Sequence, residues 1–212
     1  LALGAYFFVK SERKVLASAM LAVLALGLSQ VATAEWLSRI DTINEANKDA
    51  SFMGRVVAWK LSFILASEHP FFGAGFKGLE YFPVWSALSE QFNSLPWFYT
   101  GDALPDPEKA RAAHSVYFQV LGDHGFAGLL IYLSILLTAF AKTRNIARLA
   151  RKHALPDWIP RITTALQLAL FAFCIGGAAL SFAYFDLTFA IIALVIVLER
   201  RLVPAAIKGA KA

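Results

Sequence analysis

Long stretches without a single charged residue dominate the chain and limit what it can fold into. Residues 15–34 contain no Asp, Glu, Lys, Arg or His, and the same holds for 126–141, 162–185 and 187–198. A helix needs about 20 apolar residues to cross a bilayer, and in lipid it satisfies its own backbone groups. The sequence therefore predicts an all-α polytopic membrane protein with spans at 15–34, at 126–141 and in a helical hairpin over 162–198.

The composition agrees with this class. In this chain 58% of the residues are hydrophobic and 17% are charged, whereas in soluble domains about a quarter of the residues are charged. The chain begins at Leu1, and 1–9 is an apolar run too short to span, so we expect the C-terminal part of a longer protein, entered at the tail of a truncated transmembrane helix. The two helices of the hairpin are predicted to be joined by Phe185 and Asp186 alone.

Basic residues gather at three places along the chain and predict its orientation. Because Lys and Arg are enriched in cytoplasmic loops, we expect 10–14, 142–161 and 199–212 to be cytoplasmic. The net charge of +5 is then a topology signal, and no nucleic-acid partner is expected. Segment 35–125 is left outside, in the periplasm of a bacterium, which predicts a multi-pass protein of the inner membrane.

Segment 35–125 is predicted to be a large, partly helical periplasmic loop, because it is long and too rich in aromatic residues for a solvated linker. Apolar residues at helical spacing predict a helix over 52–67, which ends where His69 precedes Pro70. Residues 82–109, rich in proline, are predicted to be an irregular side wall or lid. A helix is predicted to resume at about Arg111 and to lead into the next span.

Glycines mark two further places. Gly73 and Gly75, in the sequence FFGAGF, allow the backbone to turn sharply and approach another surface closely. Gly122, Gly125 and Gly128 follow on the predicted helix. Their spacing predicts a smooth strip against which another helix packs.

The reactive side chains of this loop narrow the chemistry. The sequence has no paired cysteines, HExxH, phosphate-loop pattern or Asp-x-Asp pair, so no metal and no cofactor are expected. Arg55 and His114 remain, both predicted to lie near the outer edge of the bilayer. Arginine binds phosphate oxygens through two parallel donors, and histidine accepts a proton at neutral pH. The pair suits a reaction on a lipid-borne pyrophosphate, with arginine at the leaving group and His114 as the base for an acceptor hydroxyl.

The loop carries, in this order, Arg55 with Trp59, His69-Pro70, GAGF at 73–76, and His114-Ser115 followed by LGDHGFAGLL. Together these motifs resemble the C-terminal half of the O-antigen ligase and polymerase superfamily. The resemblance covers about 39–132 with motifs and the remaining spans by topology. Its run DTINEANKDASFMGRVVAW looks like the O-glycosylation ligases associated with exosortase systems.

The resemblance implies a fragment of a GT-C-like transmembrane helix bundle that acts as a metal-independent, inverting glycosyltransferase. The implied donor is a glycan on undecaprenyl pyrophosphate, and the implied acceptor is a lipid core, a protein or another glycan. The motif arginine falls on Arg55 and the motif histidine on His114. The further assignments are Arg39 as a phosphate contact, Asp123 as a group that fixes the histidine tautomer, and, as residues that bind substrate, Trp59, Gly73, Gly75, Ser115 and Tyr117.

Three alternatives stay open. An O-antigen or exopolysaccharide polymerase of the same superfamily differs from a ligase only in its acceptor. A transporter of lipid-linked glycans places ionisable residues near the midplane of the membrane, and the uncharged spans count against an ion pathway through them. A purely structural membrane subunit predicts that Arg55 and His114 tolerate replacement.

Overall fold

A computed structural model gives the structure of residues 14–31 and 50–209, together with Gly4, Phe8 and Val9. In this part of the chain every regular element is a helix and there is no strand, which confirms the predicted all-α class. The helices Val116–Lys152 and Trp158–Gly177 are long and apolar enough to cross a membrane. The other predicted spans and the orientation of the chain stay predictions.

The helices are numbered in chain order over the described residues. They are α1 (Lys14–Val31), α2 (Ala50–Glu68), α3 (Phe82–Glu90), α4 (Val116–Lys152), α5 (Trp158–Gly177), α6 (Asp186–Val197) and α7 (Val203–Gly209). Short 3-10 turns lie at Gly78–Glu80 and Phe92–Ser94, and the π-helical turn Leu198–Leu202 joins α6 to α7.

Helix α4 is central to this arrangement, because α2, α5 and α6 all pack against it. Gly125 interrupts it with φ 66° and ψ −169°, values far outside the helical region. The interruption divides α4 into a first part at 116–124 and a longer part at 126–152. The longer part begins at the residue where the sequence predicts the second span to begin.

The segment around α2 has an apolar core of its own. Side chains from α2, α3 and the turn Phe92–Ser94 are buried together, namely Val57, Leu61, Leu65, Trp85, Leu88 and Phe92. Trp85 Nε1 donates a hydrogen bond of 2.7 Å to the carbonyl of Asp106, which fastens the chain after α3 to this core. Lys60 is buried here with its ammonium 4.1 Å from the centre of the Phe92 ring, and burial lowers the pKa of that ammonium.

The prediction that 82–109 is irregular is wrong for its first part. Helix α3 occupies Phe82–Glu90, and Pro83 stands in its first turn. Proline is favoured there because its missing N–H has no partner in a first turn and its φ is already helical. Trp85 and Leu88 then bury the inner face of this helix.

The predicted connection between the last two helices is also wrong. Helix α5 ends at Gly177 and α6 begins at Asp186, so residues 178–185 form the connection rather than Phe185 and Asp186 alone. Side chains of α4 satisfy the non-helical backbone: Gln119 Oε1 accepts the N–H of Ala183 at 3.2 Å, and the Tyr132 hydroxyl donates to the Ala183 carbonyl at 3.1 Å.

At the far end of α4 the helix continues to Lys152, so most of the predicted loop 142–161 is helical. Lys142 pairs there with Glu199, which lies in the turn that follows α6. The ion pair sets the two basic ends of these helices side by side.

Candidate functional site

The segment 111–114 lies along α2 and brings two motifs together. Trp59, on α2, donates its Nε1–H to the carbonyl of Ala113 at 2.7 Å. Its ring also stacks on Phe118 of α4, with 5.1 Å between the ring centroids and 6° between the planes. Trp59 thus holds both the segment and the head of α4, a packing role beside the predicted contact with substrate.

His114 has a conformation that only its neighbours can maintain. Its φ is 48°, in the left-handed region that residues with a side chain seldom adopt. The backbone N–H of His114 donates to Ser181 Oγ at 2.8 Å, and the preceding carbonyl accepts from Trp59. The imidazole is exposed. Two long-range contacts therefore hold a strained residue that presents its ring outward.

Helix α4 begins later than the sequence predicts. Its first residue is Val116 instead of a residue near Arg111, and Ser115 is the extended N-cap residue. The contact between Trp59 and Ala113 holds residues 111–113 against α2, which overrides the helical preference of the alanines. Ser115 is 2% exposed, so its side chain lies beneath the surface that presents His114.

Arg55 lies between the two places where α2 meets the 111–114 segment. An α-helix turns by about 100° and rises by about 1.5 Å per residue. Counted from Gly54, Arg55 therefore lies at about 100° around the axis and Trp59 at about 140°, and the three span about 7.5 Å along the helix. Arg55 therefore projects from the sector of α2 that the segment borders. Its side chain is half-buried, and within the described part of the chain it has no hydrogen-bond or ion-pair partner.

Arg111 joins these residues, although sequence reasoning assigned it no role. A Cβ built on Gly54 would lie 2.6 Å from Nη1 of Arg111, so the guanidinium rests on the bare backbone of α2 next to Arg55. The sequence signal was present in the spacing RAAH, which puts an arginine three residues before the motif histidine. Arg55, Arg111 and His114 make up the basic face of the protein.

Gly73 and Gly75 lie elsewhere, at the interruption of α4. The interruption frees the carbonyls of Gly122 and Asp123, which accept hydrogen bonds from Ala74 N at 3.1 Å and from Gly75 N at 2.9 Å. The freed N–H of Ala127 donates in return to the carbonyl of Pro70 at 3.1 Å. The loop 70–75 thus completes the backbone pairing of α4. We name this junction, formed by the loop 70–75 and residues 122–127 of α4, the helix break.

The glycines of the helix break allow this close approach. Gly73 has φ 58°, and a Cβ on it would lie 2.6 Å from the backbone nitrogen of His124. Gly125 has φ 66°, and its Cβ would lie 2.6 Å from the carbonyl oxygen of His69. Gly122 faces Ser62 and Leu65 of α2. Of the predicted glycine strip, Gly122 packs against a helix as expected, whereas Gly125 ends the first part of α4 and Gly128 faces His124 of the same helix.

Asp123 belongs to the helix break as well. Asp123 is 1% exposed. Its carboxylate accepts a hydrogen bond from the Tyr184 hydroxyl at 2.8 Å, and the backbone N–H groups of Lys77 and Gly78 face it. Asp123 stands about 10 Å along α4 from its first residue. These contacts tie α4 to the glycine loop and to the 178–185 connection. A role for Asp123 in orienting His114 stays a prediction.

The last two predicted residues have different outcomes. The Tyr117 hydroxyl donates to the carbonyl of Cys174 on α5 at 2.8 Å, which fastens the head of α4 to α5. A role in substrate binding stays a prediction for Tyr117, and Arg39 lies outside the described residues. The structure therefore sets Arg55 and Trp59 on the part of α2 that borders the segment carrying His114, and it places Gly73, Gly75 and Asp123 at the helix break.

Comparison with known proteins identifies the family. No curated protein and no solved structure matches the chain. The family model of the O-antigen ligases matches residues 1–133, which is more than half of the 212 residues and includes the basic face and the helix break. The chain belongs to the O-antigen ligase family, as a membrane protein with a ligase-type or polymerase-type function in glycan transfer.

Proposed function

We propose that this protein transfers a glycan from an undecaprenyl pyrophosphate carrier to an acceptor hydroxyl, on the periplasmic face of the bacterial inner membrane. The observation that carries the proposal is the basic face. An arginine and a histidine from distant parts of the sequence lie along one contact between α2 and the 111–114 segment, and neither side chain has a hydrogen-bond partner among the described residues.

The reaction needs charge stabilisation at one atom and proton removal at another. The acceptor oxygen attacks the anomeric carbon, the bond from that carbon to the pyrophosphate oxygen breaks, and the pyrophosphate leaves with the bonding electrons. Arg55 binds the departing pyrophosphate and stabilises its growing negative charge. His114 takes the proton of the acceptor hydroxyl. Attack on the face opposite the leaving group inverts the configuration at that carbon.

The backbone around His114 supports the role of a base. Ser181 and Trp59 both bond to the peptide group that precedes the histidine, Ser181 at its N–H and Trp59 at its carbonyl. Because the imidazole is exposed while its backbone is held, it reaches a bound acceptor without a large loss of conformational entropy on binding. The strained φ of 48° is retained at the one residue of this segment that carries a proton acceptor.

The proposal includes the finer assignments that the resemblance implies. These are a GT-C-like bundle, an inverting mechanism without a metal, membership of the exosortase-associated branch, and an acceptor on a lipid core, a protein or a glycan. Arg39 is proposed as an additional phosphate contact. Arg55 supports the pyrophosphate donor most directly, because a guanidinium group without a partner among the described residues is a binding group for phosphate oxygens.

The test is a transfer assay with the full-length protein in lipid nanodiscs, supplied with a glycan on undecaprenyl pyrophosphate and a separate acceptor. We expect stoichiometric release of undecaprenyl pyrophosphate and a product of inverted anomeric configuration. Retention of configuration, or transfer from a nucleotide sugar in place of the lipid donor, would overturn the mechanism. The product length identifies the acceptor: one glycan joined to the acceptor indicates a ligase, and a ladder of repeats on the carrier indicates a polymerase.

A further inference from the structure

The contact between Arg111 and Gly54 has a geometry that ordinary packing does not require. Helix α2 carries side chains on both sides of this position, and Gly54 alone leaves the backbone bare where the Arg111 guanidinium lies. Glycine costs about 1 kcal/mol relative to alanine inside a helix. Gly54 therefore weakens α2, and it also brings the Arg111 cation to the part of the helix that carries Arg55. Both effects cost stability, so we expect another interaction of Arg111 to offset them.

No such gain comes from pairing within the described residues. The side chain of Arg111 is exposed, and the salt bridges of the described chain, Lys142 with Glu199 and Arg161 with Asp157, leave it out. Arg55 is the next residue after Gly54, so the contact of Arg111 brings a second cation to the part of α2 that carries Arg55. An anion that contacts both guanidinium groups would neutralise this positive charge.

We propose that Arg111 is a second arginine that binds the pyrophosphate of the donor, and that Gly54 is the residue that lets it reach this position. The inference rests on the proposed function, and it extends the site to a residue that the motif pattern leaves out. Arg55 and Arg111 each offer two parallel N–H donors. A pyrophosphate has two phosphoryl groups, so the pair matches its two negative centres, whereas a monophosphate engages only one arginine.

The chain itself offers a mild way to displace Arg111. A Cβ at position 54 would meet the far end of a flexible side chain and no backbone atom within 4 Å. Gly54→Ala therefore moves the guanidinium away while α2 gains helix propensity. Loss of pyrophosphate binding with unchanged or improved stability distinguishes a binding role of Arg111 from a structural one.

The experiment measures binding of undecaprenyl pyrophosphate and of undecaprenyl monophosphate to the full-length protein in nanodiscs. The variants are Arg111→Ala, Arg111→Lys, Gly54→Ala and Arg55→Ala, and Arg148→Ala, an exposed arginine near the far end of α4, is the matched control. We expect Arg111→Ala and Gly54→Ala to weaken binding of the pyrophosphate about tenfold or more, as loss of charged hydrogen bonds does. Binding of the monophosphate should change by less than about threefold, because Arg55 remains.

Thermal unfolding of the same preparations completes the test. We expect the midpoints of Gly54→Ala and Arg111→Lys to equal or exceed that of the wild type, and Arg111→Lys to keep part of the affinity. Wild-type affinity of Arg111→Ala for the pyrophosphate would overturn the inference. If Arg55→Ala loses affinity while Arg111→Ala does not, this inference alone fails. If neither variant loses affinity, the proposed donor site fails with it.

Discussion

The basic face lies where α2 meets the 111–114 segment, and the helix break lies where the loop 70–75 meets α4. Polar groups have partners at the helix break and lack them, among the described residues, at the basic face. At the helix break, freed carbonyls and N–H groups find partners within 3.1 Å, and the Asp123 carboxylate is bonded to Tyr184. At the basic face, Arg55 and Arg111 have no hydrogen-bond or ion-pair partner among the described residues. Paired polar groups hold a fold together, whereas unpaired charges at a defined position point to a ligand.

The glycines of the two regions show the same contrast. A Cβ on Gly73 would strike the backbone of α4, and a Cβ on Gly54 would strike the end of the Arg111 side chain. Backbone atoms in a packed junction cannot give way, but a guanidinium moves freely. Substitutions at the helix break should therefore change stability, and substitutions at the basic face should change activity.

The largest effect is expected for His114→Ala. Loss of a general base lowers the rate about 10²- to 10⁴-fold. Initial rates of glycan transfer, divided by the amount of folded protein, measure this effect. His124→Ala is the matched control, because His124 packs against Phe76 and Tyr184 at the helix break and is expected to lose less than tenfold. Equal losses for both histidines would remove the distinction between the two regions.

Gly73→Ala is expected to have the largest effect on stability. The substitution forces φ 58° on a residue with a side chain and drives a Cβ into the backbone between Gly122 and His124. The cost is about 2–4 kcal/mol, which lowers the thermal midpoint and the yield of folded protein. Gly75→Ala is the control, because its Cβ would meet no atom within 4 Å and only the strain of φ 82° remains. A Gly73→Ala variant as stable as Gly75→Ala would contradict the role of Gly73 in closing the helix break.

Tyr184→Phe should have a smaller effect in the same region. It removes the hydroxyl that donates to Asp123 at 2.8 Å and leaves a buried carboxylate with fewer partners, at a cost of about 1–3 kcal/mol. The rate per folded molecule should stay close to that of the wild type. The thermal midpoint and the transfer rate are measured on the same preparation. A loss of rate without a loss of stability would indicate that Asp123 and Tyr184 take part in the reaction.

The smallest effect is expected on removal of divalent cations. In the proposed mechanism arginine carries the charge stabilisation that a metal supplies in other glycosyltransferases, so EDTA should leave the transfer rate unchanged. Rates are compared with and without chelator, followed by addition of Mg²⁺ or Mn²⁺. A large loss that either ion restores would indicate that the basic face does not act alone.

Hydropathy and spacing predict the regular parts of this fold well. The helix expected over 52–67 is α2 at Ala50–Glu68, and the boundary expected before 126 coincides with the interruption at Gly125. Both depend on local signals, since apolar periodicity defines α2 and a glycine permits the positive φ. The choice of Arg55 and His114 came from residue chemistry and from the family resemblance, and the structure sets them along one contact.

What the sequence did not predict depends on contacts between distant residues. Ser181 bonds to His114 across 67 positions, and Tyr184 bonds to Asp123 across 61. The connection 178–185 resembles the end of an apolar span in sequence, because the partners that satisfy its backbone lie on α4. The late start of α4 has the same origin, since Trp59 holds Ala113 away from the helix. Arg111 was missed because only the fold places it on Gly54.

The most direct test of the basic face is the transfer rate and the thermal midpoint of Arg55→Ala, both measured on one nanodisc preparation of the full-length protein. If Arg55 binds the leaving pyrophosphate, its replacement by alanine should lower the transfer rate at least about 100-fold. Because Arg55 has no partner among the described residues, the midpoint should stay within about 2 °C of the wild type. A variant that transfers glycan at the wild-type rate, or one whose rate falls only as far as its folded fraction, would contradict the account.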